Sequence, residues 1–83
     1  MDLSGKKIIV TGAARGMGAA TVASYVEAGA TVVAMDVLDD EGRAVAEQAN
    51  AAGPGSATYR NLDVSDKARV DAVFAEAVEQ MGG

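Results

Sequence analysis

Thr11-Gly12-Ala13-Ala14-Arg15-Gly16-Met17-Gly18 is the stretch that decides how this chain folds. Before it stands Lys7-Ile8-Ile9-Val10, a short β-branched run that reads as a buried strand. After it, Ala19 to Ala28 reads as a helix, and Gly29 supplies its C-terminal stop. Residues Gly12 to Gly18 therefore form a glycine-rich turn between a strand and a helix, the context that gives such a loop chemical meaning. Each glycine meets a separate demand. Gly12 lets the chain turn sharply off the strand. Gly16 carries no side chain, so a pyrophosphate can approach the backbone. Gly18 lets the helix pack tightly on the strand. Unpaired N–H groups at the helix start, reinforced by the helix dipole, attract phosphate. A Walker loop is excluded, because no Lys-Ser or Lys-Thr follows.

Further along, Thr31-Val32-Val33-Ala34-Met35 forms a second buried strand that ends at Asp36. Asp39-Asp40-Glu41 puts three acids at the positive end of a helix dipole, and that helix runs to about Ala52, before Gly53-Pro54-Gly55. Ala57 to Leu62 forms a third, more polar strand. Ser65 is placed to cap a last helix whose apolar positions are Val70, Val73, Phe74, Ala77, Val78 and Met81. Gly82-Gly83 ends it. Strand and helix alternate three times, which implies α/β architecture with parallel strands and right-handed crossovers.

Composition narrows the function. The 83 residues make one small domain, 1–83, with no repeat or linker. A hydrophobic content of 49% calls for a packed core. Cysteine is absent, which removes disulfides and thiolate metal sites. Histidine is absent too, which removes the commonest metal ligand and the commonest general base. Net charge is −5, with 12 acids against 7 bases, so nucleic acid and anionic membranes are poor partners. The start, Met1 to Lys7, carries no long apolar stretch, and no run approaches the ~20 residues that cross a bilayer. A soluble, cytoplasmic protein is expected.

The spacing Thr-Gly-x-x-x-Gly-x-Gly resembles the short-chain dehydrogenase/reductase family, and the resemblance runs from Gly5-Lys6-Lys7 to the last helix. It implies a Rossmann-like β-α-β-α-β-α half, with three parallel strands in the order 3-2-1 and helices on both faces. It also implies that Gly12, Gly16 and Gly18 line a dinucleotide, with Arg15 and the Met17 backbone near the adenosine ribose and phosphates. Asp36 follows Gly18 by 18 residues, where a carboxylate can accept hydrogen bonds from both adenosine ribose hydroxyls and repel the extra phosphate of NADP. Arg15 pulls the other way: it can pair with a 2′-phosphate, or form a surface ion pair with Asp36. NAD is favoured over NADP because Asp36 holds the discriminating position. Val37 belongs to the same implied site. Leu62-Asp63-Val64 resembles the family's Asp-Val pair beside the adenine ring; equally, Asp63 simply helps start the last helix alongside Ser65.

The family transfers hydride with a tyrosine and a lysine four residues apart, aided by a serine and an asparagine. Tyr25 and Tyr59 are each followed at that distance by Gly29 and Asp63, so no catalytic residue is assigned. The chain is expected to be the truncated cofactor-binding part of a longer alcohol or ketone oxidoreductase, inactive by itself. A non-catalytic nucleotide-binding or self-associating fragment is the alternative, and the loop spacing argues against a methyltransferase-type domain. Without a fourth strand, Ile8, Ile9 and Val10 would form an apolar sheet edge. A homo-oligomer is therefore expected, through the first strand or through the face under the last helix.

Overall fold

The structure is a computed structural model that describes residues 2–82. Its elements run β1 (Lys7–Thr11), α1 (Gly16–Glu27), β2 (Thr31–Asp36), α2 (Asp39–Ala52), β3 (Ser56–Asn61) and α3 (Lys67–Gln80). The strands form one parallel sheet ordered β1-β2-β3. This is the expected order, and β2 lies central because it is hydrophobic on both faces: Val32, Val33, Ala34 and Met35 are all buried.

Side chains alternate across the sheet and divide the core in two. Val10, Val32, Ala34 and Ala57 pack under α1 and α2, against Val22, Val26, Ala46 and Ala49. On the other face Val33 and Met35 join Leu62 and the α3 residues Val73 and Ala77. Ile9, Val70, Phe74 and Met81 stay half-buried there, so α3 covers that face incompletely. Val78, expected among the apolar positions of α3, points to solvent at 45% exposure.

The element ends follow from local chemistry. α1 starts at Gly16, three residues before the expected Ala19. The glycines of the loop therefore belong partly to the helix, and the true turn spans only residues 12–15. At its other end Gly29 adopts φ +97°, Gly29 N–H donates to Val26 O, and Ala30 N–H donates to Tyr25 O. That pair of bonds is a Schellman stop, which needs the left-handed residue that glycine supplies. β3 is shifted one residue earlier than expected, and Leu62 lies beyond it in the α3-side core.

Ser65 does not cap α3. Asp66 does, its carboxylate accepting from Arg69 N–H at 3.2 Å. Asp63 takes Ser65 instead, with Oδ1 accepting from both the amide at 2.9 Å and the hydroxyl at 2.7 Å. A carboxylate closer to the helix satisfies the first-turn amides, and the serine is left to tighten the preceding turn. Gly82 ends α3 at φ +88°, while Gly83 lies outside the described residues.

Candidate functional site

β1 and β2 both end at one rim of the sheet, and the glycine loop leaves β1 there. Ala13 N–H donates to Met35 O at 3.1 Å, which extends the β1–β2 pairing into the loop. Gly12 has φ +65° and Gly16 φ +57°, left-handed conformations that a side chain would strain. A Cβ added at Gly16 would meet no heavy atom within 4 Å, so the backbone there faces open space. Gly18 is constrained differently: a Cβ would stand 1.9 Å from Gly12 O and 3.0 Å from Ala13 Cα. The helix thus packs tightly on the loop's own backbone rather than on the strand.

The helix start is electrostatically bare. α1 has Arg15 at its N-cap, no side-chain cap and no acid in its first turn. α2 begins with Asp39, Asp40 and Glu41, and α3 has the Asp66 cap. Among the three helices, only α1 has neither a side-chain cap nor an acid in its first turn, so its first-turn amides lack a side-chain acceptor of their own. Met17, on the first turn, is 87% exposed.

Asp36 is bound into this rim. Its Oδ2 accepts from Ala14 N–H at 3.0 Å, across 22 residues of sequence. Its Oδ1 accepts from Val37 N–H at 2.6 Å and Leu38 N–H at 3.2 Å. Partial burial alone would raise the carboxyl pKa. The amides of Ala14, Leu38 and Val37, with the nearby positive Arg15, outweigh that and hold it below its ordinary value. The carboxylate is ionised, fixed, and one side of it remains at the surface.

Arg15 does not pair with Asp36. Its guanidinium forks onto Glu41 in the first turn of α2, with Nε 2.5 Å from Oε2 and Nη2 2.7 Å from Oε1. Sequence alone assigned Glu41 only to the helix start. Tyr59 packs on the α1/α2 side of the sheet. Its hydroxyl also lies 2.6 Å from both Asp36 O and Asp39 Oδ1, so its one proton serves two acceptors. Asn61 Nδ2 donates to the same Asp39 oxygen at 2.8 Å. Burial first, and the Asp39 hydrogen bond second, push the Tyr59 hydroxyl well above its ordinary pKa, so it is a neutral donor that pins the β2–α2 turn. The available signal was the strand order: with β3 beside β2, Tyr59 pairs in register with Ala34, two residues before Asp36.

Val37 and Val64 are 53% and 66% exposed, large apolar side chains in the loops after β2 and β3. Asp63, also exposed, is held by Ser65, which lowers its pKa through the side-chain and then the backbone hydrogen bond. A hollow lined by Val37, Leu38, Asp39, Asp40, Glu41 and Arg43 lies over the start of α2. None of the glycine-loop residues lines it, so it flanks the rim rather than containing it. No group of histidine, cysteine or acidic side chains suited to a metal occurs among the described residues. No helix among them is long and apolar enough to cross a membrane.

The comparisons with known proteins agree with this geometry. The model of the short chain dehydrogenase family matches residues 6–83, and the chain belongs to that family. It is 43% identical over 82 residues to a 2,5-dichloro-2,5-cyclohexadiene-1,4-diol dehydrogenase of Sphingobium indicum, covering 99% of this chain and 31% of that protein. To a 3-alpha-(or 20-beta)-hydroxysteroid dehydrogenase of Mycobacterium tuberculosis it is 46% identical over 81 residues, covering 98% and 30%. The crystal structure of a hydroxysteroid dehydrogenase from Escherichia coli superposes with a TM-score of 0.91 at 30% identity, covering 98% of this chain and 33% of that one. The three-stranded, three-helix unit is thus the Rossmann-type arrangement of these enzymes. The chain spans about a third of the length of the relatives it matches.

Proposed function

We propose that this chain is the NAD(H)-binding portion of a cytoplasmic oxidoreductase that moves hydride between a nicotinamide and an alcohol or ketone. The observation that carries the reading is the uncapped start of α1, open at Gly16 and adjoining the fixed Asp36 carboxylate. These residues fit a dinucleotide. The amides of the first turn of α1 need an acceptor, and a pyrophosphate offers several. The cradle at Gly16 is a space that a side chain would fill. Gly12, Gly16, Gly18 and the Met17 backbone would hold the phosphates, with Arg15 beside them. Val37 and Val64 would offer apolar surface to the adenine, and Asp63 would accept from its exocyclic amine.

Asp36 would accept from the adenosine ribose. A carboxylate has about four acceptor sites. Ala14, Val37 and Leu38 occupy three of Asp36's. About one remains, on Oδ2. One ribose hydroxyl can bind there directly, while the second must share Oδ1 with the turn amides. The negative charge also favours NAD by opposing a 2′-phosphate. When bound, the cofactor supplies the hydride chemistry, and this chain's residues bind and orient its adenosine half. Neither Tyr25 nor Tyr59 has the lysine partner that would make it a proton donor. Tyr59, moreover, is engaged in holding the Asp36 turn. Substrate contact and proton transfer therefore belong to a longer parent.

Titration with NADH, NADPH, adenosine monophosphate and S-adenosylmethionine tests the reading. NADH should bind, more tightly than NADPH, and S-adenosylmethionine should not. Failure of all four ligands, or preference for S-adenosylmethionine, would refute it.

A further inference from the structure

We propose that Glu41 is a second determinant of cofactor choice, acting through Arg15: it engages the guanidinium that would otherwise recruit a 2′-phosphate. The proposal rests on the dinucleotide reading above and deepens it. The chain carries opposing signals at this rim. Asp36 disfavours a 2′-phosphate, whereas an arginine in the loop before α1 is suited to pair with one. Arg15 meets Glu41 through the Nε/Nη2 side of its fork, the geometry that also grips phosphate oxygens. Both partners are substantially exposed, with side chains 71% and 44% accessible, so a ligand can reach them.

Charge points the same way. Asp36, Arg15 and Glu41 together carry one net negative charge, and without Glu41 the trio is neutral. Asp39, Asp40 and Arg43 line the neighbouring hollow and keep the surroundings acidic. Glu41 is no solitary helix-start acid, because its oxygens close onto a residue from another element 26 positions away. An exposed ion pair is weak and screened by salt, so the effect should be moderate and dependent on ionic strength. Glu41 is a positioning residue, since it acts through Arg15 and need not touch the ligand.

Calorimetric titration of the 83-residue chain with 5′-ADP and 2′,5′-ADP tests this without any catalytic readout. At low ionic strength, Glu41→Gln should narrow the preference for 5′-ADP over 2′,5′-ADP by about three- to tenfold, and added salt should shrink that change. The double variant Arg15→Ala/Glu41→Gln should lose the narrowing. Unaltered selectivity in Glu41→Gln, an equal change for both ligands, or narrowing that survives removal of Arg15 would overturn the role of Glu41. In each case the dinucleotide reading would stand, provided that the unmodified chain binds 5′-ADP. Absence of binding by either nucleotide to the unmodified chain would remove the dinucleotide reading, and this proposal with it.

Discussion

At the scale of single residues, Asp36 joins two parts of the chain that sequence separates. Its carboxylate holds Ala14 of the glycine loop, while its carbonyl accepts from Tyr59. Replacing it with Asn puts an amide where Ala14 N–H needs an acceptor. The Asp36→Asn variant should lose about 1–3 kcal/mol in a denaturant titration at neutral pH. An Asp36→Ala change should lessen discrimination against NADPH, and unchanged discrimination would remove Asp36 from that role. Because the folded pKa of Asp36 lies below its ordinary value of 3.8, the unfolded chain takes up the proton first as pH falls. Its stabilising contribution is complete above that ordinary value and disappears as pH drops through the folded one. Melting temperatures recorded from about pH 5 to about pH 3 should therefore fall more steeply in the unmodified chain than in Asp36→Asn. Parallel slopes would contradict the assignment. Asp36 was legible as a site candidate because it ends a strongly apolar strand. Its bond to Ala14 was not, since a main-chain donor carries no side-chain signature.

At the scale of elements, most of the architecture could be read from hydrophobic period and glycine placement. Val32 to Met35 could only be a strand buried on both sides, and Gly29 could only follow a helix. The misreadings fall where neighbouring polar residues compete. Ser65 and Asp66 can each cap a helix, and only the register of the first turn decides between them. Gly16 and Gly18 discourage a helix by propensity, yet both lie within α1, where Gly18 packs closely against the Gly12 carbonyl. Gly18→Ala would drive a Cβ into the Gly12 carbonyl and should destabilise the fold by about 1–3 kcal/mol, with loss of nucleotide binding. Tyr59→Phe keeps the ring but frees the β2–α2 turn. It should cost about 1 kcal/mol and weaken NADH binding, as thermal melts and fluorescence titration would record. Full retention of affinity would mean that the turn holds Asp36 without the hydroxyl. Gly42 sits beneath that ring, where a Cβ would stand 2.1 Å from Tyr59 Cε1, so the two positions are mechanically coupled.

At the scale of the molecule, the sheet has unequal edges. On β3, Asn50 binds both the amide and the carbonyl of Ala57 and blunts the outer side. β1 pairs only with β2 among the described residues, and Ile8 and Ile9 are half-buried on it. An apolar edge of this kind should drive self-association. Sedimentation velocity of the 83-residue chain at micromolar concentration should give species larger than a monomer, and a well-folded monomer would contradict this. The unequal edges followed from strand order, which the sequence made legible; that Val78 faces solvent did not, because side-chain tilt decides whether it is inside or out. The central claim concerns the rim where β1 and β2 end, and amide-resolved NMR titration with NAD tests it most directly. The amides of residues 12–18 and of Val37 and Leu38 should shift together and saturate with a single affinity, while those of the second half of α3 stay in place. Shifts absent from the glycine loop, or confined to other surfaces, would contradict the account.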